Sequence, residues 1–346
     1  MAVGRKRTAA AIAALAAVAL VCSAPSGGAL PGGRAVKVCA AAGPYWPTMT
    51  LALEGASAWV ACKEQSRVIR VNTRTGKTTK SVRLGGPVIA VRSGFGSIWA
   101  LDSGGTLYRL NPKRARIVKR ISLNVAAAYN IWTGGGSVWV ADDQGEKVVR
   151  VSPQTDRVVA RIPAGDGPAS MAFSGGTAWV INHRDTTVDR IDLATNRSRR
   201  LTTLGGGGAP ERMVWSHGSL WVTGRGTDLL ELNPADGSIR KTIEIGASGI
   251  DLAAAGNDLW IPTRSERVDP TGFPTMDALK RVSMSSGLVS TVTSPTSRLD
   301  VHGLATANGA VWIADNRRGW LYRISRRQTE TCFSLSPVNG SRCQPP

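Results

Sequence analysis

The chain is short of acid. Against 43 Lys and Arg it carries 24 Asp and Glu, a formal charge of +19 over 346 residues. It has no heptad run and no long amphipathic stretch, which excludes the α-rich classes. It has no Asp-rich calcium loop, no nucleophile elbow and no phosphate-binding loop. With three histidines and five cysteines it is poor in metal-ligating side chains, and their spacing fits no zinc pattern. Beyond Ala9–Val21, no run is apolar enough to cross a membrane. What the chain does have is glycine, 39 copies, and 42% apolar residues, enough for many tight turns and a large core.

The N-terminus reads as an export signal. Arg5, Lys6 and Arg7 precede the apolar run Ala9–Val21, whose 13 residues are too few to span a bilayer comfortably. Ala24 and Ala29 are possible cleavage points, and Pro25 disfavours the first. An uncleaved anchor, or acylation at Cys22, ranks below cleavage, because Val21 is bulky where a lipoprotein signal needs a small residue. Removal of residues 1–29 leaves Cys39, Cys62, Cys332 and Cys343. An even count in an exported chain suggests two disulfides in one of three pairings. The local pairs Cys39–Cys62 and Cys332–Cys343 are favoured, since each joins segments near one chain end. A basic exported protein is drawn to anionic wall polymers, head groups or acidic glycans, and export argues against nucleic acid. A solvated basic surface without a partner has the same composition.

A repeat organises the rest. Trp59, Trp99, Trp139, Trp179, Trp221, Trp260 and Trp312 recur at spacings of 40, 40, 40, 42, 39 and 52, mostly just after a Gly-Ser or Gly-Thr turn. Each unit holds four short alternating runs. In the fourth these are Ser170–Phe173, Ala178–Asn182, Val188–Asp192 and Ser198–Leu204. Four-stranded units of about 40 residues are propeller blades, and a ring of them buries both faces of every sheet. The fold class is therefore all-β, a seven-bladed β-propeller of four-stranded antiparallel blades. It spans 45–336, after an N-terminal segment, 30–44, and before a tail, 337–346. The expected fourth strand of the last blade is Thr331–Leu335, with Ala35–Ala40 either added beside it or crossing the base of blade one. Arg70, Arg109, Arg150, Arg190, Arg281 and Arg323, with Glu231 in the fifth unit, recur on third strands. Asp102, Asp142, Asn182 and Asp315 recur three residues after the Trp. Features shared by nearly every blade are read as scaffold.

Function is sought where the repeat breaks. The positions ten and nine before each Trp lie at the channel mouth and vary chemically: Tyr129-Asn130, Glu211-Arg212, Ile250-Asp251 and His302-Gly303 are the polar pairs. Loops between second and third strands add His183, Arg184, Arg225, Arg264 and Arg317. Blade six carries about 10 extra residues there, Arg264 to Asp277, a candidate lid or a tolerated insertion. His302 is the most reactive-looking side chain, and His183, in an outer loop, the weaker candidate.

The repeat of Gly-Ser-Val-Trp-Val-Ala-Asp followed by Val-Val-Arg-Val resembles the streptogramin (virginiamycin B) lyase-like propellers and their YVTN-type relatives. That resemblance implies an enzyme that opens a cyclic depsipeptide by elimination, using Mg²⁺, two histidines and a glutamate. His302 stands where one such histidine precedes a blade, and Asp315 lies near the place of the acid. Ile250-Asp251 occupies the place of the second histidine. A base without relay or metal anchor points first to a non-catalytic, monomeric binding protein without a cofactor. Its ligand, an anionic envelope component or a protein or peptide, would meet Tyr129, Asn130, Glu211, Arg212, Asp251, Arg264, His302 and Arg317. The alternative is a divergent lyase with His302 as base and Asp251 or Asp315 on Mg²⁺.

Overall fold

The computed structural model describes residues 34–39, 50–205, 208–268, 274–293, 301–307, 309–315 and 319–325. Seven antiparallel sheets follow one another along the chain and close into a propeller. Blade four shows the unit, with strands Pro168–Ser174, Thr177–Asn182, Thr187–Asp192 and Arg197–Thr203. Second strands such as Ser137–Asp142 are buried at every position, because a neighbouring blade covers each face. Fourth strands, at the rim, alternate towards solvent. Among the described residues no helix is long and apolar enough to cross a membrane.

The core is a set of seven inter-blade seams. Trp59 packs with Val91 and Ile98 of blade two, and Trp99 with Val138 and Val149 of blade three. The series runs round to Trp312, which packs on Val60 and Ile69 of blade one. None of the seven rings exceeds 5% exposure. Each is a large apolar body with one N–H to satisfy. Trp99 and Trp139 donate it to Gly94 O and Gly134 O of their own first strands.

The recurrent arginines are latches between blades. Arg70 donates to Pro112 O, in the outer hairpin of blade two. Arg109 reaches Pro153 O and Asp156 in blade three, and Arg150 reaches Leu193 O and Asn196 in blade four. Each guanidinium also lies 5.2 to 5.8 Å from the ring centre of its blade's Trp. In blade four Trp179 does this job itself, donating to Pro234 O and stacking on Trp215 at 5.2 Å. In blade five Glu231 accepts from Ser219 Oγ, where Arg109 and Arg150 donate to Ser97 and Ser137.

The ring closes through the N-terminal segment. Arg34–Lys37 pairs antiparallel with Trp320–Ser325 and is the fourth strand of blade seven. This corrects the sequence reading twice. The edge expected of Thr331–Leu335 is held by residues 34–37, and the propeller takes in part of the segment set ahead of it. Thr331–Leu335, Cys332 and Cys343 lie outside the described residues. Cys39 and Cys62 stand at disulfide geometry, Cα atoms 5.6 Å apart, tying the closing strand to blade one.

Blade six departs from the pattern in two ways. Its extra residues extend the hairpin of strands two and three, Asp258–Val268 and Pro274–Ser283, with Val268 paired to Pro274, rather than forming a free loop. Its first strand is split into Ser248–Gly249 and Ala253–Ala255. Pro262 explains the split. Its carbonyl accepts from Ile250 N, so its nitrogen faces the same strand without a hydrogen to give.

Candidate functional site at the channel mouth

The variable positions are β-bulges. Register slips between Val88 and Ala90, Ala128 and Ile131, Pro168 and Ser170, Pro210 and Arg212, and Val301 and Gly303. Ile89, Ala169, Glu211 and His302 are thus the extra residues of their strands, and Tyr129-Asn130 faces Ala141 alone. A bulge turns its extra side chain out of the ladder and leaves a nearby N–H unpaired.

Part of the chemistry there answers that N–H. Thr50 Oγ1 accepts from Val91 N of the next blade, and Ser170 Oγ from Met213 N. Asn130 caps its own Ile131 N. Asp251 takes two, Leu252 N at 2.9 Å and Leu304 N at 3.0 Å. Side chains that look dissimilar in sequence therefore share one structural task. Asn130 and Asp251 belong to the scaffold as well as to the mouth.

The remaining charges converge. Arg212 lies 3.6 Å from Asp251 and beside Tyr129. Burial works against its charge, but Tyr129, Asp251 and Glu211 outweigh it and raise its pKa. Glu211 pairs with Arg225 at 2.9 Å. Burial pushes its carboxyl up, yet Arg212, Arg225 and Arg264 together hold it below the usual range. His183 brings its ring to 6.2 Å from that of Tyr129. Burial lowers its pKa, and Arg184 and Arg225 add to this against Asp143 and Glu211, so the imidazole is neutral at pH 7. Gly167 permits this placement, for a Cβ there would lie 3.0 Å from the His183 ring. Arg184 bridges Asp143 and Asp166.

Below this rim the first strands enclose a channel of about 710 Å³. Arg92, Arg212 and Asp251 line it together with Trp132, Phe173 and Trp215. It continues to the turn glycines Gly135 and Gly176 on the opposite face.

The structure places Tyr129, Glu211, Arg212 and Asp251 on one rim, with Arg264 near Glu211. The side chain of His302 and all of Arg317 lie outside the described residues. Asp315 is fully buried at the end of its strand, in the series of Asp102 and Asp142. Those two hold loops: Asp102 accepts from Thr106 N and Tyr108 Oη, Asp142 from Ala126 N and Ala127 N. Among the described residues no three His, Cys, Asp or Glu side chains are grouped to hold a metal. His183 is nearer the centre of the site than its loop suggests, and Arg92 escaped notice altogether. It lies seven residues before its Trp, where blade three carries Trp132 and the other blades Ala or Val, and that contrast is its signal.

No family model matches the chain and no curated protein matches it in sequence. Among solved structures it is similar to virginiamycin B lyase from Staphylococcus aureus, at 17% identity and TM-score 0.68, over 84% of this chain and 98% of that one. A catalytically inactive variant of that lyase, with quinupristin, aligns at 14% identity and TM-score 0.67 over the same shares. The computationally designed Ika8 protein aligns at 11% and 0.62, over 80% of this chain and 82% of that one. At these identities the likeness is one of architecture: the chain has the propeller fold of the virginiamycin B lyase.

Proposed function

We propose that this chain is an exported, non-catalytic binding propeller that holds an anionic or peptide-like ligand at the mouth of its central channel. One observation carries the reading. The side chains that break the repeat converge on one rim, where, among the described residues, Arg212, Arg225 and Arg264 gather about the carboxylates of Glu211 and Asp251. Such an excess in a concave site attracts anions. The basic n-region and apolar run at the N-terminus support export, and an exported chain of formal charge +16, the full +19 less Arg5, Lys6 and Arg7, favours an envelope polymer over nucleic acid. The protein acts as a monomer and needs no cofactor. The test is retention on cell-wall fractions and anionic polymer arrays at rising NaCl. Retention that falls with salt, and falls further in Arg225→Ala/Arg264→Ala, supports the reading. Absence of salt-sensitive retention ends it.

A second reading, a divergent lyase, draws on the neutral His183 beside Tyr129, itself next to Arg212. A neutral imidazole is a competent base. The fold neighbour crystallised with quinupristin sets the assay: a cyclic depsipeptide with Mg²⁺, beside His183→Ala and His302→Ala. Equal background turnover in all three proteins removes the enzyme reading.

A further inference from the structure

The geometry points to a second, deeper site: we propose that the channel below the mouth takes a small carboxylic acid with an aromatic or apolar body, its carboxylate on Arg92. The inference rests on the reading of the chain as a ligand-binding propeller, and names a chemistry and a residue for it.

The argument starts from hydrogen-bond capacity. A guanidinium has five N–H donors and stays charged at neutral pH. Arg92 donates one of them, at 2.9 Å, to Val91 O next to it in the chain. Arg212, on the same channel, gives one to Glu211 O and lies beside Tyr129. The carboxylate both face is Asp251, whose oxygens already accept Leu252 N and Leu304 N. Two cations thus share one anion that is largely committed to backbone. Burial, with Arg212 adding to it and Asp251 opposing, lowers the Arg92 pKa, as expected of a cation short of partners. The remaining N–H donors of Arg92 open on the channel, where a carboxylate can take them as a fork.

The walls define the rest of the ligand. Trp132 occupies in blade three the position that Arg92 occupies in blade two, seven residues before the repeat Trp. Phe173 and Trp215 line the channel one residue further along their strands. They are fixed by packing on core rings, Phe173 tilted against Trp139 at 5.8 Å and Trp215 stacked on Trp179 at 5.2 Å. Their blades carry no hydroxyl there, whereas Ser93 and Thr133 at the same rung bond the preceding blade. A volume of about 710 Å³ suits a small organic acid. A fork of N–H donors beside flat apolar walls matches an aromatic carboxylate better than a hydrated phosphate.

The test titrates sodium benzoate, benzamide and inorganic phosphate into the full chain by calorimetry. Benzamide has the same body without the charge. Saturable benzoate binding is expected, with benzamide and phosphate at least roughly tenfold weaker. Arg92→Met should weaken benzoate by roughly tenfold or more, Arg92→Lys by less, and Arg116→Met, exposed on the outer strand of blade two, not at all. Arg92 lines the channel and belongs to no blade seam, so a normal melting curve is expected for Arg92→Met. If that variant fails to fold, Arg92→Lys carries the comparison. Benzamide or phosphate binding as well as benzoate, unchanged affinity in the Arg92 variants, or no saturable benzoate binding would each overturn the inference. Loss of benzoate binding with wall retention intact removes the channel site and leaves the mouth reading standing. Benzoate binding without wall retention does the reverse.

Discussion

Replacing Cys39 and Cys62 by serine should cost about 3.5 kcal/mol of stability. The two residues are 23 apart in sequence, and closing a loop of that length in the unfolded chain removes conformational entropy of that order at room temperature. The position makes the loss consequential. Cys39 follows the strand that completes blade seven, and Val38 N and Cys39 N both donate to Gly319 O. Cys62 ends the second strand of blade one, so the bond spans the seam where the ring closes. In urea, with a slope of about 2–3 kcal/mol per molar, the midpoint should fall by roughly 1–2 M, read from tryptophan fluorescence. Reducing agent should move the wild type by the same amount and leave the double variant unmoved. A midpoint shift under about 0.3 M would refute the claim that this bond closes the ring.

Other expectations follow from the seams and the mouth. Trp139→Ala empties the core between blades three and four and should cost about 3–5 kcal/mol in the same urea assay. Arg150→Met leaves Leu193 O and Asn196 without their donor and should cost about 2 kcal/mol, whereas loss of an unlatched surface arginine should cost little. Acid should destabilise the protein in two steps. His183 and Glu211 both bind protons less well folded than unfolded, so the stability they give is present at high pH. It is lost as pH falls below the ordinary histidine value of 6.5, then below the ordinary glutamate value of 4.5. Melting temperature measured from pH 8 to pH 4 should show both limbs. His183→Gln should remove the first and Glu211→Gln the second.

Much of the fold is legible because the same physical problem recurs in every blade. A Trp that must fill a seam leaves a period near 40 residues, and four alternating runs per period give the strands. Ring closure was less legible, since any short β-prone segment near either end fits an open edge and pairing across the whole chain leaves no local mark. The site was legible in part. Aligning on Trp located Glu211, Arg212 and Asp251 because their blades diverge there. The same alignment overvalued diversity: Thr50, Asn130, Ser170 and Asp251 differ in type yet all accept bulge N–H groups. It also passed over Arg92, one rung deeper, and His183, named from its loop alone, ranked low because its approach to Tyr129 depends on how neighbouring blades are set.

The central claim, that ligand enters the channel rather than binding anywhere on a basic surface, is tested most directly by the indole N–H signals of ¹H–¹⁵N spectra. The chain has 11 tryptophans, seven of them locked in seams. On addition of benzoate the signals of Trp132 and Trp215 should shift and saturate together, while those of the seam rings hold still. Shifts confined to other tryptophans, or none at saturating benzoate, would contradict the account.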